Sequence, residues 1–173
     1  QQFRHPSGAV LPIEAAAIDA GYETQAVYEF SQRQRARGKR HFATKGVAGS
    51  GRALWTRGGD ITRSLARFFL VGVDGGKGQI IAGLAMPDAG PGRVHSRAEF
   101  PPHWWEWATA EEQVQRETAG GVKVEWRLKR GQKRNEVLDT LVLALAVRYS
   151  ADFDIPARLD RLHRTGAIRA PQA

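Results

Sequence analysis

Apolar positions follow two different periods along this chain, and each period indicates a different kind of secondary structure. Largely apolar runs at residues 13–18 and 67–74, and a third run at residues 40–46, predict strands of a sheet. Residues 24–37 repeat apolar positions at helical spacing, and Gly38 follows as a helix stop. Because a strand, a helix and a strand follow one another here, we expect a right-handed crossover between two parallel strands.

The second half of the chain predicts further helices and one half-exposed strand. Residues 134–149 are mostly apolar and predict a buried helix of about four turns. Residues 101–117 contain tryptophans at helical spacing and predict another helix, whereas residues 121–128 alternate like a strand with one exposed face. The remaining predictions are a mobile loop at residues 47–63 and a short helix at residues 156–163. These elements together predict the α/β class.

The length and amino-acid composition of the chain limit the class of protein to which it can belong and the kind of partner that it can bind. The 173 residues suffice for one domain with a hydrophobic core, and the first residue, Gln1, leads us to expect a piece of a longer protein. The chain has no cysteine, which excludes disulfides and thiolate metal sites, and no apolar run approaches the ~18 residues of a membrane span. With 26 Lys and Arg against 18 Asp and Glu, the net charge is +8, which favours a polyanionic partner, nucleic acid first.

Three widely separated aspartates stand where the pattern predicts a common edge. Asp19 and Asp74 each end an apolar strand, and the carboxyl ends of parallel strands form the edge at which open sheets bind ligands. Asp139 lies near the start of the predicted helix 134–149, with Glu136 one turn earlier on the same face. Each carboxylate also has a simpler interpretation, as a turn or cap residue for the first two and as a helix-dipole partner for the others.

Convergence of these carboxylates would make a site for a hard divalent ion. Mg²⁺ and Mn²⁺ are bound by a few carboxylates together with water. Two such ions, ~4 Å apart, activate a water and stabilise the leaving oxygen of a phosphodiester. We therefore expect Asp19, Asp74 and Asp139 as catalytic metal ligands, with Glu136 as a further candidate ligand. The five histidines are scattered without paired spacing, which gives little support to a zinc hydrolase.

Basic residues cluster in the segments that would surround this site. A glycine-rich loop carries Arg52 and Arg57, and residues 129–134 form a basic loop directly before the helix of Asp139. The Gly-Gly-Lys-Gly sequence after Asp74 lacks the spacing of a nucleotide-binding P-loop. Basic side chains of this kind bind the phosphates of a DNA backbone. The residues expected to contact DNA are Arg52, Arg57, Lys77, Arg130, Lys133 and Arg134.

Three motifs, in this order, resemble a known family of nucleases. They are residues 17–28 (AIDAGYETQAVY), 71–77 (VGVDGGK) and 133–139 (KRNEVLD), and Lys45-Gly46 ends a strand before the glycine-rich loop. The arrangement resembles the ribonuclease-H-like metal nucleases. More narrowly, it resembles the C-terminal nuclease domain of a tailed-phage terminase large subunit of the lambda-type packaging family. The resemblance spans roughly residues 9–150.

The resemblance implies a fold, a function and a set of partners. The fold is a ribonuclease-H-like mixed central sheet flanked by helices, with a nuclease domain at residues 1–151 and a partly disordered tail with a short helix at residues 152–173. The function is endonucleolytic cutting of concatemeric double-stranded viral DNA with Mg²⁺ or Mn²⁺, as two ions. The partners are double-stranded DNA, an upstream packaging ATPase domain of the same polypeptide, the small terminase subunit and the portal, in the cytoplasm of the infected host. The isolated domain is expected to be a monomer.

Two other functions are compatible with the same residues. A DNA-binding module without catalysis would use the basic loops alone. A resolvase or integrase-like nuclease would use the same fold and the same kind of carboxylate cluster. The motifs quoted above favour the terminase over the resolvase, and DNA cleavage compared in Mn²⁺, Mg²⁺ and EDTA separates either nuclease from the binding module.

Overall fold

The computed structural model describes residues 2–4, 10–61, 66–88, 90–96, 99–150 and 154–168. Strands and helices alternate irregularly along this part of the chain. In order they are β1 (Gln2–Arg4), β2 (Val10–Pro12), β3 (Ala15–Asp19), α1 (Thr24–Ala36), β4 (Arg40–Val47), β5 (Thr56–Ile61), β6 (Ala66–Gly72), α2 (Val73–Ala85), α3 (Pro102–Ala108), β7 (Glu111–Thr118), β8 (Gly121–Leu128), α4 (Glu136–Val147) and α5 (Ile155–Arg164).

The centre of the fold is a four-stranded mixed sheet in the order β3-β4-β6-β5. β3 pairs in parallel with β4, and β4 pairs in parallel with β6, so the carboxyl ends of these three strands meet at one edge. β5 runs antiparallel to β6. The buried Thr44 hydroxyl donates to the Ile18 carbonyl oxygen over 3.0 Å and ties β4 to β3 near that edge. The predicted parallel pair around α1 is confirmed.

Helices cover both faces of the sheet and bury two small cores. Phe68 and Val71 of β6 are three residues apart and therefore point to opposite faces. Phe68 packs against Tyr28 of α1, while Val71 packs beneath α2 and α4. This arrangement confirms the α/β class with a mixed central sheet flanked by helices, and it is consistent with a ribonuclease-H-like fold. The buried members of the core under α2 and α4 are Val71, Ile80, Leu138, Val142 and Ala146.

A glycine allows α2 and α4 to approach closely. A Cβ atom at Gly76 would lie 2.7 Å from Cγ1 of Val142, which is closer than packed side chains come. Any larger residue at this position would therefore push the two helices apart. The close approach places Lys77, the next residue of α2, beside Asp139 in the first part of α4.

The helix predicted for residues 101–117 is wrong in its second half. α3 ends at Ala108, and Glu111 begins β7, which pairs with β8 over all eight of its residues. The Glu and Gln residues of this segment favour helices in isolation, but pairing with an alternating strand across the tight turn at Gly120 overrides that preference. The strand predicted for residues 121–128 is confirmed.

The mobile loop predicted for residues 47–63 is also partly wrong. Its second half contains β5, which pairs with β6 across a bulge between Arg57 and Gly59. Adjacent glycines weaken the strand pattern in the sequence, and they are tolerated here because the strand lies at an edge and is bulged. The preceding loop is anchored as well, since the Gly72 N–H donates to the Ala53 carbonyl oxygen over 3.2 Å.

The short helix predicted near the carboxyl end is confirmed as α5. Its Arg158 guanidinium forms an ion pair and a hydrogen bond with the Glu14 carboxylate, directly before β3. α5 is therefore attached to the central sheet by a charged contact. The end of the predicted disordered tail, residues 169–173, lies outside the described residues, and the division of the chain at residue 152 stays a prediction.

Candidate active site

Asp19 ends β3 at the carboxyl edge of the parallel strands. Its Oδ1 accepts a hydrogen bond of 3.0 Å from the Gly21 N–H, so the chain turns directly after the strand. In the strand register Asp19 lies level with Thr44 of β4. The Asp19 side chain is exposed, which leaves its remaining oxygen accessible from solvent.

Asp74 lies in the first turn of α2, two residues beyond the strand end at which it was expected. β6 ends at Gly72, and the carboxylate at position 74 complements the dipole of the helix that begins there. Asp74 Oδ2 accepts a hydrogen bond of 2.9 Å from the Gly49 N–H of the glycine-rich loop. The Trp126 indole N–H donates to the Asp74 carbonyl oxygen over 3.2 Å, which holds the β7–β8 hairpin against the start of α2.

A buried lysine one turn after Asp74 joins α2 to β7 and α4. The Lys77 ammonium lies 2.6 Å from Glu111 Oε2, and the two side chains are 11 % and 6 % exposed. Glu111 Oε1 accepts a hydrogen bond of 2.5 Å from Asn135 Nδ2. Asn135 stands at the N-cap position of α4, yet its side chain does not cap the helix. The amide is instead used to orient Glu111, which in turn holds the lysine.

Asp139 lies on the other side of the same lysine. Its Oδ1 is 3.6 Å from the Lys77 ammonium, and half of its side chain is exposed. Burial of the other half raises the pKa of Asp139, the Lys77 ammonium opposes that shift, and the negative charges of Glu111 and Asp19 add to it. Asp19 and Asp139 are therefore close enough for their charges to repel each other at the carboxyl edge.

Lys77 and the three carboxylates linked through it or through Asp139 carry an excess of negative charge. Asp19, Glu111 and Asp139 contribute three carboxylates against a single ammonium, so two negative charges are uncompensated when all four are ionised. A cation placed among them would relieve that repulsion. We call these four residues the carboxyl-edge cluster.

A divalent ion at this cluster would be held by two aspartates. Within the described ranges, no three His, Asp or Glu side chains converge as a metal-ligand group. Mg²⁺ does not require such a cage, because it is commonly bound by one or two carboxylates, waters and the phosphates of a substrate. Asp19 and Asp139 are the candidates for that donor set, since both are exposed and the Asp19 charge contributes to the raised pKa of Asp139. The Glu136 side chain is exposed one turn before Asp139 on α4.

A comparison with protein families decides which class of enzyme carries this cluster. A family model described as the endonuclease domain of the terminase large subunit gpA matches residues 1–159. The chain belongs to this family. It is thus an endonuclease domain with a nuclease role in viral DNA packaging, as the resemblance implied. Searches of curated proteins and of solved structures found no match. Among the described residues of this terminase domain, no helix is long and apolar enough to cross a membrane.

Asp19 and Asp139 are the two of the three aspartates expected to be catalytic whose charges are linked in the terminase domain. The Asp19 charge contributes to the raised pKa of Asp139, and the role of both aspartates as metal ligands stays a prediction. The described contact of the Asp74 side chain is to Gly49, and its role as a third ligand stays a prediction. Glu136 makes no described side-chain contact and likewise stays a prediction.

The basic residues expected to contact DNA divide into two groups in the terminase domain. Five of them are exposed, and the Arg134 guanidinium lies 5.2 Å from the centre of the Trp107 ring. Lys77 is different, because its ammonium is buried between the carboxylates of Glu111 and Asp139. Its predicted contact with DNA remains untested, and its described contacts are to those two carboxylates. The exposed five are Arg52, Arg57, Arg130, Lys133 and Arg134.

Two residues that hold the Lys77 ammonium in place, Glu111 and Asn135, had no role predicted from the sequence. Glu111 was placed within a helix, whereas it is the first residue of β7 and reaches across to α2. Asn135 lies inside the third motif but had no assigned role. The signal that could have found them is Lys77 itself, because a lysine within an otherwise apolar helix needs a buried carboxylate partner.

The raised pKa of Asp139 makes a prediction for the stability of the metal-free domain. The folded state holds the Asp139 proton more tightly than the unfolded state does, so ionisation of Asp139 lowers the free energy of unfolding. This loss of stability grows as pH rises from the unfolded pKa through the raised folded pKa of Asp139. Asp139→Asn should therefore be more stable than the parent at pH 7. The side chain is half exposed, so the gain is screened to less than about 1 kcal/mol.

The measurement is urea unfolding of parent and Asp139→Asn in EDTA, at pH 7 and again at a pH well below 3.8, the ordinary pKa of this carboxyl. The advantage of the variant should disappear at the lower pH, where both states of the parent are protonated. An Asn variant that is less stable at pH 7 would mean that attraction to Lys77 outweighs burial and repulsion at this site.

Proposed function

We propose that this terminase domain is a divalent-metal-dependent endonuclease that cuts concatemeric double-stranded DNA, with Asp19 and Asp139 as its metal ligands. The observation that carries the proposal is the excess negative charge of the carboxyl-edge cluster, at the edge where parallel sheets bind ligands. Mg²⁺ or Mn²⁺ suits carboxylate and phosphate oxygens better than it suits softer ligands. When bound, the ion supplies Lewis-acid stabilisation of the phosphoryl group and a reactive hydroxide.

Lys77 acts on the metal ligand Asp139 in this proposal. Its ammonium opposes the rise in the pKa of Asp139 and so favours the ionised carboxylate that binds a cation. Glu111 and Asn135 fix the position of that ammonium through the 2.6 Å and 2.5 Å contacts. Lys77 is thus a positioning residue for the aspartate. Asp74, one turn earlier on α2, is the candidate for a third carboxylate in a two-ion site.

The DNA track in this proposal runs along the loop before α4. Arg130, Lys133 and Arg134 are exposed immediately ahead of Asn135 and Asp139, so phosphates bound by this loop lie next to the carboxyl-edge cluster. Stacking of Arg134 on Trp107 holds one of these cations in place. The partners proposed for the whole terminase, an upstream packaging ATPase, a small subunit and a portal, would deliver DNA to this track within the infected host.

Replacing Arg130, Lys133 and Arg134 together by Ala should weaken duplex binding equally for unrelated sequences. Each lost phosphate contact lowers the slope of log affinity against log salt by about 0.9, so the slope should fall by up to ~3. Fluorescence anisotropy with two unrelated duplexes across a salt series, in EDTA, measures both effects.

The matched control removes three exposed cations elsewhere, Arg33, Arg37 and Arg164, and should leave most of the slope unchanged. An unchanged slope in the loop variant would place the DNA track elsewhere, with the loop of Arg52 and Arg57 as the next candidate. The catalytic part of the proposal is tested separately, by plasmid cleavage with and without divalent ions.

A further inference from the structure

A second concentration of charge lies at the opposite edge of the sheet from the carboxyl-edge cluster. A cavity of about 230 Å³ opens there between the end of α1 and the amino ends of β4 and β6. We call it the amino-edge pocket. Its lining includes Phe42, Phe69 and the polar residues Ser31, Gln32, Arg35, Lys39, Arg40, His41 and Arg67. None of the described lining residues is acidic, so four cationic side chains share the pocket without a carboxylate inside it.

The topology of the sheet creates this convergence. β4 and β6 are parallel neighbours, and the register pairs Ala43 with Phe68, which brings the first residues of both strands, and hence Arg40 and Arg67, to the same end. α1 ends directly before β4, and Gly38, with a positive φ of 72°, turns the chain back so that Lys39 follows beside Arg35. Arg35, Lys39 and Arg40, so placed, repel one another and attract an anion.

Among the described residues, the positive charge of Arg35, Lys39 and Arg40 is only partly neutralised. Arg40 pairs with Glu14 at 3.9 Å, which is a long contact, and Glu14 also binds Arg158 of α5. A single carboxylate outside the pocket is therefore divided between two guanidinium groups. Arg35 at the end of α1 complements the helix dipole, and Lys39 has no ion pair with any described residue.

Two polar atoms in the wall of the pocket are buried without a hydrogen-bond partner. They are the hydroxyl oxygen of Ser31, a residue only 5 % exposed, and Nδ1 of His41. Buried polar groups in folded proteins are nearly always satisfied, so each of these two atoms calls for a partner that the described residues do not provide. The His41 ring is held by stacking on Phe30, with ring centres 5.8 Å apart and planes 8° from parallel. A rotation of the serine side chain would present its hydroxyl to a ligand in the pocket.

We propose that the amino-edge pocket binds a phosphate of the DNA backbone at a point distinct from the cutting site. Arginine side chains bind phosphate oxygens through paired N–H groups, and lysine adds a point charge. Asp19 is level with Thr44, four residues along β4 from Arg40, so at least about 13 Å of strand separates the two edges. A phosphate in the pocket is therefore not the one being cleaved. The choice of DNA as the polyanion rests on the proposed function, whereas the phosphate chemistry rests on the pocket alone.

The first arm of the test uses inorganic phosphate with the whole chain in EDTA. Phosphate should shift the NMR signals of the His41 ring, and Arg35→Ala combined with Lys39→Ala should reduce that response at least severalfold. The matched control is Arg33→Ala combined with Arg37→Ala, which removes the same charge from the same end of α1 but spares the pocket lining. It should respond like the parent. No shift at His41, or equal responses from both double variants, would overturn the site.

The second arm replaces phosphate by a short DNA duplex, again in EDTA. Loss of Arg35 and Lys39 should lower the salt slope of binding by about 1–2, while the control pair leaves it nearly unchanged. A His41 response to inorganic phosphate with no difference in slope between the two pairs would make this a site for free phosphate and overturn the DNA contact. Neither arm measures cleavage. A chain that does not cut DNA can therefore still show the phosphate site, and a chain that cuts DNA can still lack it.

Discussion

Asp139→Asn is expected to abolish DNA cleavage by this terminase domain while sparing its fold. The substitution keeps the size and shape of the side chain but removes the negative charge that we assign to metal binding. Loss of partners that merely orient metal ligands costs roughly 10–100-fold, so loss of a ligand should cost more than about 100-fold. Cleavage of supercoiled plasmid in Mn²⁺ measures the effect, and binding to a duplex in EDTA should be unchanged or slightly stronger, because one repulsive charge is gone.

The matched control for this prediction is Glu136→Gln, on the same helix and one turn earlier. It removes the same charge from an exposed carboxylate that makes no described side-chain contact, and it should reduce cleavage less than Asp139→Asn does. An active Asp139→Asn beside an inactive Glu136→Gln would mean that the wrong carboxylate was chosen. Full activity in both variants would make α4 a purely structural helix.

Lys77→Met should destabilise the domain strongly, by about 3–5 kcal/mol. The substitution removes the buried ammonium and leaves the Glu111 carboxylate, whose side chain is 6 % exposed, without its charged partner. It also withdraws the positive charge that opposes the raised pKa of Asp139. For a domain of this size, each kcal/mol lowers the midpoint temperature by about 2–4 °C. Urea unfolding with circular dichroism gives the free energy directly.

The source of that loss is identified by a double-mutant cycle with Glu111→Gln. Glu111→Gln alone leaves the Lys77 ammonium facing only Asp139, and it should also be destabilising. The double variant has neither buried charge and can still bond to Asn135, so it should be more stable than the sum of the single losses predicts. Additive losses would show that Lys77 and Glu111 act independently and that their 2.6 Å contact contributes little.

The strands that form the carboxyl edge could be predicted because each is short, largely apolar and separated from the next by a clear helix or glycine signal. Asp19 and Asp139 could be chosen as candidates because each is a carboxylate at the border of an apolar element, and a charged side chain in that position needs an explanation. The β7–β8 hairpin could not be predicted in full. The charged sequence of Glu111–Thr118 has helical preferences, and only its partner strand across the turn changes the outcome.

The Lys77 network depends on contacts that no local pattern encodes. Its partner Glu111 is 34 residues away, and their contact requires the hairpin to fold back on α2, where Trp126 bonds to the Asp74 carbonyl oxygen. It also requires the close packing of α2 on α4 that Gly76 allows. Gly76 and Lys77 are adjacent in the sequence, but the contacts that they allow form only when α2, β7 and α4 pack together.

Cleavage of supercoiled plasmid by the parent chain, compared in Mn²⁺, Mg²⁺ and EDTA, is the sharpest test of metal-dependent cutting. We expect slow conversion to nicked and linear forms with either metal ion, little dependence on sequence, and no conversion in EDTA. The rate should be low in an assay that contains no packaging ATPase to hold DNA in place. Cleavage that persists in EDTA would contradict the account, as would the absence of cleavage with every divalent ion at high concentrations of folded, DNA-binding protein.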